Sequence, residues 1–251
     1  MKYLKLLFFQ FIVVHTFAQG PPITGDKAIM LSEGTFIVKT LTESLNTDGG
    51  DYFYAPLMIH YLPTSNFLTA VHIPYVSTPG ESGESGLADI VVRGKYQFYR
   101  NDMKARTHRL ALKSVHWIPT GVNTGIEDYG VGAYQTALTV ISGYETLKHG
   151  IGAEAGYKYV GGDNTDYWIV NAGFGLPLLK QTYPVNQLNL YFEYNSEFFT
   201  DGRTLINYSQ GIQYAKDQLT LDFALQVPLT QSDDLAIQRN YKLLMGARYI
   251  W

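Results

Sequence analysis

Apolar and polar residues alternate along most of this chain with a period of two. The clearest case is the stretch 219–227, where every odd-numbered residue is apolar and the residues between them include Asp222 and Gln226. The stretches 188–198 and 90–98 repeat the pattern. Successive side chains of a β-strand point to opposite faces, so each such strand is apolar on one side and polar on the other. The pattern predicts strands that separate two different environments.

The same pattern, followed along the chain, predicts one all-β domain at 33–251. An even number of strands, about twelve, is typical of a closed antiparallel transmembrane β-barrel. The alternation is least regular at 129–143, which leaves the strand count open by two. The predicted strands are 33–42, 51–61, 67–77, 87–100, 107–118, 129–143, 150–160, 166–179, 187–198, 204–215, 218–228 and 239–251. The connections between them alternate between short turns and longer, acidic loops, as in outer-membrane barrels.

The first residues have the three-part organisation of a secretory signal peptide. Lys2 and Lys5 precede an apolar run at 6–14, and Ala18 ends a small-residue site for cleavage before Gln19. That run is too short to cross a bilayer as a helix. The alternative is an N-terminal apolar helix that packs against a soluble domain. Such a helix would not require a charged start, an apolar run and a cleavage site in this order. We therefore predict a cleaved signal peptide at 1–18, an N-terminal periplasmic segment at 19–32, and a location in the bacterial outer membrane.

Composition narrows the function classes further. The chain contains no cysteine, which excludes disulfides and thiolate metal sites, and its net charge of −3 gives no support for nucleic-acid binding. The mean hydropathy is −0.08, and no stretch after the leader has the ~20 apolar residues of a membrane helix. A soluble β-sandwich could share this profile. The 20 tyrosines favour a membrane barrel, in which aromatic rings lie at the two membrane–water interfaces.

The end of the chain carries the most specific local feature. Apolar residues occupy one face of the last predicted strand, and this face ends with Tyr249 and Trp251. A terminal aromatic residue after such alternation resembles the signal that the outer-membrane insertion machinery reads. Closure against the first strand would remove the exposed edge that a soluble protein would have here. The expected partners are therefore this machinery, outer-membrane lipid and lipopolysaccharide.

If the apolar faces contact lipid, the opposite faces point into the lumen. Their charges either pair and pack the barrel shut or line a narrow path, and the sequence leaves both alternatives open. Inward and outward positions alternate along each strand, and by this parity Tyr99 and Tyr191 fall on the inward face. The candidate pore-lining residues are Asp89, Arg93, Lys95, Glu154, Lys158, Glu193, Glu197, Asp222, Lys242 and Arg248.

The sequence offers little support for catalysis or metal binding. Ser114 and His116 share a strand face, as a serine and its activating base could, but no acidic or amide residue that would orient the histidine is evident. His60 and His72 lie on neighbouring predicted strands without a third ligand. We therefore predict no catalytic residue, no metal site, no cofactor and no enzymatic activity.

One region resembles a known family. The stretch 86–121 contains a glycine, an apolar residue and Asp89, then Lys95-Tyr96, and later Pro119-Thr120-Gly121, with Gly130 and Gly132 following. These residues resemble the outer-membrane transporter family named for the meta-pathway of phenol degradation. The clear match covers about a seventh of the chain. The resemblance implies a barrel associated with uptake of small, often aromatic compounds.

Three functional hypotheses follow from these features. The leading one is a narrow outer-membrane channel or transporter for a small molecule. The alternative is a closed structural or adhesive barrel that acts through acidic external loops. The third, less favoured, is a hydrolase on the barrel wall that would use Ser114.

Overall fold

The computed structural model describes residues 22–80, 84–126, 129–180 and 184–251. The predicted signal peptide at 1–18 lies outside the described residues. The strands are β1 (Phe36–Thr47), β2 (Gly50–Thr64), β3 (Phe67–Ser77), β4 (Ser85–Leu87), β5 (Ile90–Met103), β6 (Arg106–Ile118), β7 (Gln135–Thr146), β8 (Gly150–Val160), β9 (Tyr167–Pro177), β10 (Asn186–Phe199), β11 (Thr204–Lys216), β12 (Leu219–Gln231) and β13 (Arg239–Ile250).

The strands form one closed antiparallel barrel. Each long strand pairs with its neighbours in the chain, and the short β4 pairs only with β3. Closure comes from β1 and β13, which pair from Ile37 with Ile250 to Thr47 with Arg239. The backbone N–H of Trp251 donates to the carbonyl oxygen of Phe36 at 2.9 Å. Twelve long strands around a lumen confirm the fold predicted from the alternation.

The apolar faces of the strands point outward. In β12, the side chains of Leu221 and Phe223 are 47% and 48% exposed, whereas Ala224, on the opposite face of the strand, is fully buried. An outer surface this apolar is stable in lipid and would aggregate in water. The described residues contain no helix that is long and apolar enough to cross a membrane.

Three strands begin at least three residues later than the alternation predicts. They are β1, at Phe36–Thr47 instead of 33–42, β5, at Ile90–Met103 instead of 87–100, and β7, at Gln135–Thr146 instead of 129–143. Gly130 and Gly132 have φ values of 126° and 68°, which an extended strand does not use. Residues 129–134 therefore belong to a loop, and this explains why alternation is poorest there.

The two ends of the barrel differ. The start of β1, the end of β13 and the turns at 65–66, 104–105, 147–149 and 217–218 lie at one end, here called the turn end, together with residues 178–180 and 184–185. The connections at 48–49, 161–166, 200–203 and 232–238 lie at the other, here called the loop end, together with residues 78–80, 84–89, 119–126 and 129–134. Short turns at one end and longer loops at the other agree with the predicted arrangement.

A β-bulge changes the position of one predicted lumen residue. The register between β5 and β6 shifts between Gln97 and Tyr99, so that Gln97 pairs with Ala111 and Tyr99 with Leu110. Gln97 stays buried on the inner face, and Tyr99 is 40% exposed on the outer face. The prediction of an inward Tyr99 was wrong because one extra residue in a strand reverses the parity after it. Tyr191 is buried, as predicted.

Candidate functional site in the barrel lumen

The turn half of the lumen is occupied by residues 22–35, here called the N-terminal segment. Gly34 donates its N–H to the carbonyl oxygen of Leu62 at 2.8 Å, where the segment enters the barrel. Further in, Met30 packs against Leu62 and Leu68, and Ala28 is fully buried. The sequence predicted a periplasmic segment at 19–32. The structure instead places its described part inside the barrel, because its polar groups match those of the wall.

Glu193 of β10 holds the tip of this segment. Its carboxylate accepts backbone N–H groups from Ile23 at 3.2 Å, Thr24 at 3.0 Å and Gly25 at 3.0 Å. The Thr24 hydroxyl donates to Asn195 Oδ1 at 2.9 Å. Three charge-assisted hydrogen bonds to one carboxylate satisfy backbone donors that would otherwise be buried without partners. The predicted lumen residue Glu193 thus binds the chain's own backbone.

Three cations of the wall surround the carboxylate of Asp26. Lys95 Nζ lies 2.8 Å from Oδ1, and Arg93 Nη1 and Lys113 Nζ lie 3.3 Å and 3.8 Å from Oδ2. Arg93, Lys95 and Lys113 are here called the cation site. Burial alone would raise the pKa of Asp26, but the charges of Lys95, Lys113 and Arg93 together hold it well below its usual range. Asp26 is therefore an anion bound by the barrel wall.

Glycines of the wall make room for the segment. A Cβ placed on Gly143 would lie 3.6 Å from Ala28 Cβ, and one on Gly173 would lie 3.9 Å from Pro22 Cβ. A Cβ on Gly211 would lie only 2.5 Å from Ile23 Cδ1. Larger side chains at these inward positions would compete with the segment for space. The wall is thus shaped to receive residues 22–30.

The loop half of the lumen is covered by the loop between β6 and β7, described at 119–126 and 129–134. Tyr129 stacks on Tyr54 with ring centroids 4.6 Å apart, and its hydroxyl donates to Glu43 at 3.0 Å. Ile126 packs in the same cluster, and Val131 packs against Tyr167 and Leu205. This loop therefore reaches across the mouth of the barrel to β1 and β2.

Residues of the stretch 86–121, which carries the family resemblance, hold this loop in place. Asp89 is fully buried and accepts the N–H groups of Thr120 and Gly121, each at 3.1 Å. A Cβ on Gly130 would approach Asp89 Oδ2 to 2.9 Å. Asp89 was predicted to line the pore, but its position makes it a loop anchor. Lys95, from the same motif, belongs to the cation site.

Beyond the tip of the N-terminal segment, Thr24 and wall residues of β1, β6 and β8–β13 line a cavity of about 210 Å³. Lys158 and Lys242 lie on its wall, and the Lys158 ammonium is 4.1 Å from the centroid of the Trp117 ring. Lys242 forms an ion pair with Glu43 at 2.8 Å. Aromatic rings, cations and carboxylates, among them Glu197, therefore line the same cavity. A small polar or aromatic molecule would find both stacking and hydrogen-bonding partners there.

The remaining predicted residues also point inward. Glu154 forms an ion pair with Lys113 at 2.5 Å, and Asp222 accepts a hydrogen bond from Gln213 at 2.6 Å. Arg248 of β13 pairs in register with Lys39 of β1. The alternation of inward and outward positions along each strand therefore predicted correctly that these side chains face the lumen. Their role in a pore stays a prediction.

Two central residues were missed by sequence reasoning. Lys113 lies on the inward face of β6 with Ala111 and Val115, so the parity of a predicted strand could have found it. Asp26 lies in a segment without alternation. No local signal placed it in the lumen, because its partners are more than 65 residues away in the chain.

The His60–His72 pair and the Ser114–His116 pair lie on opposite faces of the barrel wall. His60 and His72 point inward, with ring centroids 5.6 Å apart. No group of three or more metal-ligating side chains is present in the part of the chain that the structure describes. Ser114 and His116 lie on the outer face, with Ser114 Oγ 2.8 Å from His116 Nε2. Tyr134 and Thr136 lie within hydrogen-bond distance of His116 Nδ1, at 2.6 Å and 3.0 Å.

The terminal aromatic residues lie on the outer surface of the turn end. Tyr249 and Trp251 contact each other edge to face, with ring centroids 4.6 Å apart, and Trp251 is 61% exposed. Their service as a signal for the insertion machinery stays a prediction.

Comparison with known proteins supports the fold and leaves the family open. No family model and no curated protein matches the chain. The resemblance to the phenol meta-pathway transporters is therefore not confirmed. Among solved structures, the KdgM porin has a TM-score of 0.57 and the NanC porin 0.56, each at 8% identity over 85% of this chain and 98% of theirs. The β domain of the Bordetella autotransporter BrkA has a TM-score of 0.52 at 13% identity, over 88% of this chain and all of its own.

At such low identity the likeness shows the fold alone. It confirms the outer-membrane type of β-barrel that the alternation predicted.

Proposed function

We propose that this chain is a channel for small solutes in the bacterial outer membrane, and that its N-terminal segment closes the channel. The observation that carries the proposal is that residues 22–35 fill the turn half of the lumen without joining the sheet. Twelve strands enclose a wider space than the eight-strand barrels that wall side chains fill by themselves. Displacement of the segment therefore opens the turn half of the lumen, and motion of the β6–β7 loop completes the path.

Removal of residues 22–30 is expected to open the channel. The barrel begins at Phe36, so the deletion leaves every strand intact. We expect the open fraction in planar bilayers to rise at least about tenfold over the full mature chain, since the segment no longer competes for the lumen. Glu33→Gln, an exposed substitution at the edge of the same segment, is the matched control and should conduct like the unaltered protein.

The same truncation separates this proposal from its alternative. A truncated barrel that is folded, as judged by its heat-dependent shift on gels, and that still passes neither ions nor small solutes would contradict a channel. That result would favour a closed barrel that acts through its outer loops, since the β6–β7 loop already covers the loop end.

We propose no enzymatic role for the Ser114–His116 pair. Ser114 pairs in register with Gly94 on β5 and Leu138 on β7, so the neighbouring backbone N–H groups serve the sheet and cannot stabilise an oxyanion. We expect purified protein to show no hydrolysis of p-nitrophenyl butyrate or phospholipid above that of Ser114→Ala. Turnover that disappears in Ser114→Ala would make the barrel-wall hydrolase the better hypothesis.

A further inference from the structure

The cation site and the anion it holds belong to different parts of the molecule. Arg93 and Lys95 lie on β5 and Lys113 on β6, whereas Asp26 belongs to a segment outside the sheet. When the segment leaves, the wall keeps three cations close together, with Glu154 bonded to Lys113. Clustered cations in a confined lumen are costly unless an anion replaces the lost carboxylate.

We propose that Arg93, Lys95 and Lys113 bind the carboxylate of a small organic acid that the channel carries, and that this solute opens the channel by replacing Asp26. The inference rests on the proposed function and names the solute class of the same lumen. Asp26 then acts as an internal substitute for the solute, which makes the closed state reversible. A ligand that binds only the wall with the segment displaced shifts the population toward the open state.

Further polar groups adjoin the cation site. Ala70 of β3 pairs with His60 on β2 and with Arg93 on β5. The inward side chains of His60 and Arg93 therefore lie in one row across the three strands. The Nε2 atoms of His60 and His72 and the Nε atom of Arg93 are buried and have no hydrogen-bond partner among the described residues. The two histidine side chains are more than nine-tenths buried. These groups could bind a second polar substituent of the acid, because buried polar atoms are normally paired.

Labelling of a single cysteine can measure displacement of the segment without any current. The chain has no cysteine, and Ala28 of the N-terminal segment is fully buried against the barrel wall. Ala28→Cys should therefore react with a maleimide only when the segment moves. We expect succinate to speed the reaction about tenfold relative to chloride at the same ionic strength, a size typical of coupling between two ligands.

Three controls define the result. Lys104→Cys, at an exposed turn position, reports the intrinsic effect of each salt on the maleimide reaction and should not respond. Glu193→Gln combined with Ala28→Cys removes a clamp on the segment and should react faster in every salt, which shows that the assay detects release. Lys113→Gln combined with Ala28→Cys should lose the difference between succinate and chloride.

The outcomes separate this inference from the proposed function. Equal rates in succinate, acetate, phosphate and chloride, with Glu193→Gln still faster, would overturn the carboxylate site. Equal acceleration by phosphate and succinate would overturn its preference for carboxylates. If the truncated barrel conducts while succinate has no effect on labelling, the channel stands and this inference fails. If succinate releases the segment but the truncated barrel does not conduct, the binding site stands and the channel fails.

Discussion

Oxidised protein with the paired substitutions Ala28→Cys and Gly143→Cys is expected to pass almost no current, and reduction is expected to restore the activity of the parent. A Cβ on Gly143 would lie 3.6 Å from Ala28 Cβ, within the range of about 3.5–4.5 Å that a disulfide spans. The bond would tie the N-terminal segment to β7 in the turn half of the lumen. With no native cysteine, no other disulfide can form within the chain.

The measurement compares open fraction in planar bilayers before and after addition of dithiothreitol. Ala28→Cys and Gly143→Cys as single substitutions are the matched controls, and their conductance should not depend on the redox state. A locked protein that conducts as well as its reduced form would show that closure does not depend on the position of the segment. Gel mobility without reductant verifies that the bond has formed.

Gly156→Ala is expected to disrupt the barrel itself. A Cβ on Gly156 would lie 2.1 Å from the carbonyl oxygen of Leu138 and 2.5 Å from Thr139 Cα. Both atoms belong to the backbone of β7 and cannot move without breaking its register with β8. We expect a loss of about 3 kcal/mol or more in the free energy of unfolding, the upper range for overpacking.

Gly94→Ala is the matched control for this substitution. Gly94 also lies within a barrel strand, and a Cβ placed there would have no heavy atom within 4 Å. Its unfolding free energy should change by about 0.5 kcal/mol or less. Urea titrations of both variants in lipid vesicles, followed by tryptophan fluorescence, provide the comparison. Equal stability of the two variants would contradict the steric argument.

The closed lumen has two barriers. The N-terminal segment is held by charged and polar contacts, which an ionic solute can replace, and by packing of Ile23, Ala28 and Met30 against the wall. The β6–β7 loop is held by Asp89 and by packing of Ile126 and Tyr129 against the wall. Apolar packing has no ionic competitor. Passage of a solute through the loop end therefore depends on motion of the β6–β7 loop itself.

The sequence by itself determined the strands and the faces they present. A period of two is a local property, and lipid on one side with a polar lumen on the other requires it along every strand. The inward positions of Glu193, Lys95 and Lys242 followed from parity alone. Parity was wrong where a local irregularity intervened, at the bulge after Gln97 and in the glycine-containing loop at 129–134.

Only the tertiary structure decided what fills the lumen. The sequence left open whether the inward charges pack the barrel shut or line a path, because pairing depends on which strands face each other. The contact between Ile23 and Glu193 joins residues 170 positions apart. The N-terminal segment has no periodicity that would place it, and its position is set by complementary charge and by space beside wall glycines. The barrel was therefore predictable from local pattern, whereas the filling of its lumen by the N-terminal segment arises from contacts between distant parts of the chain.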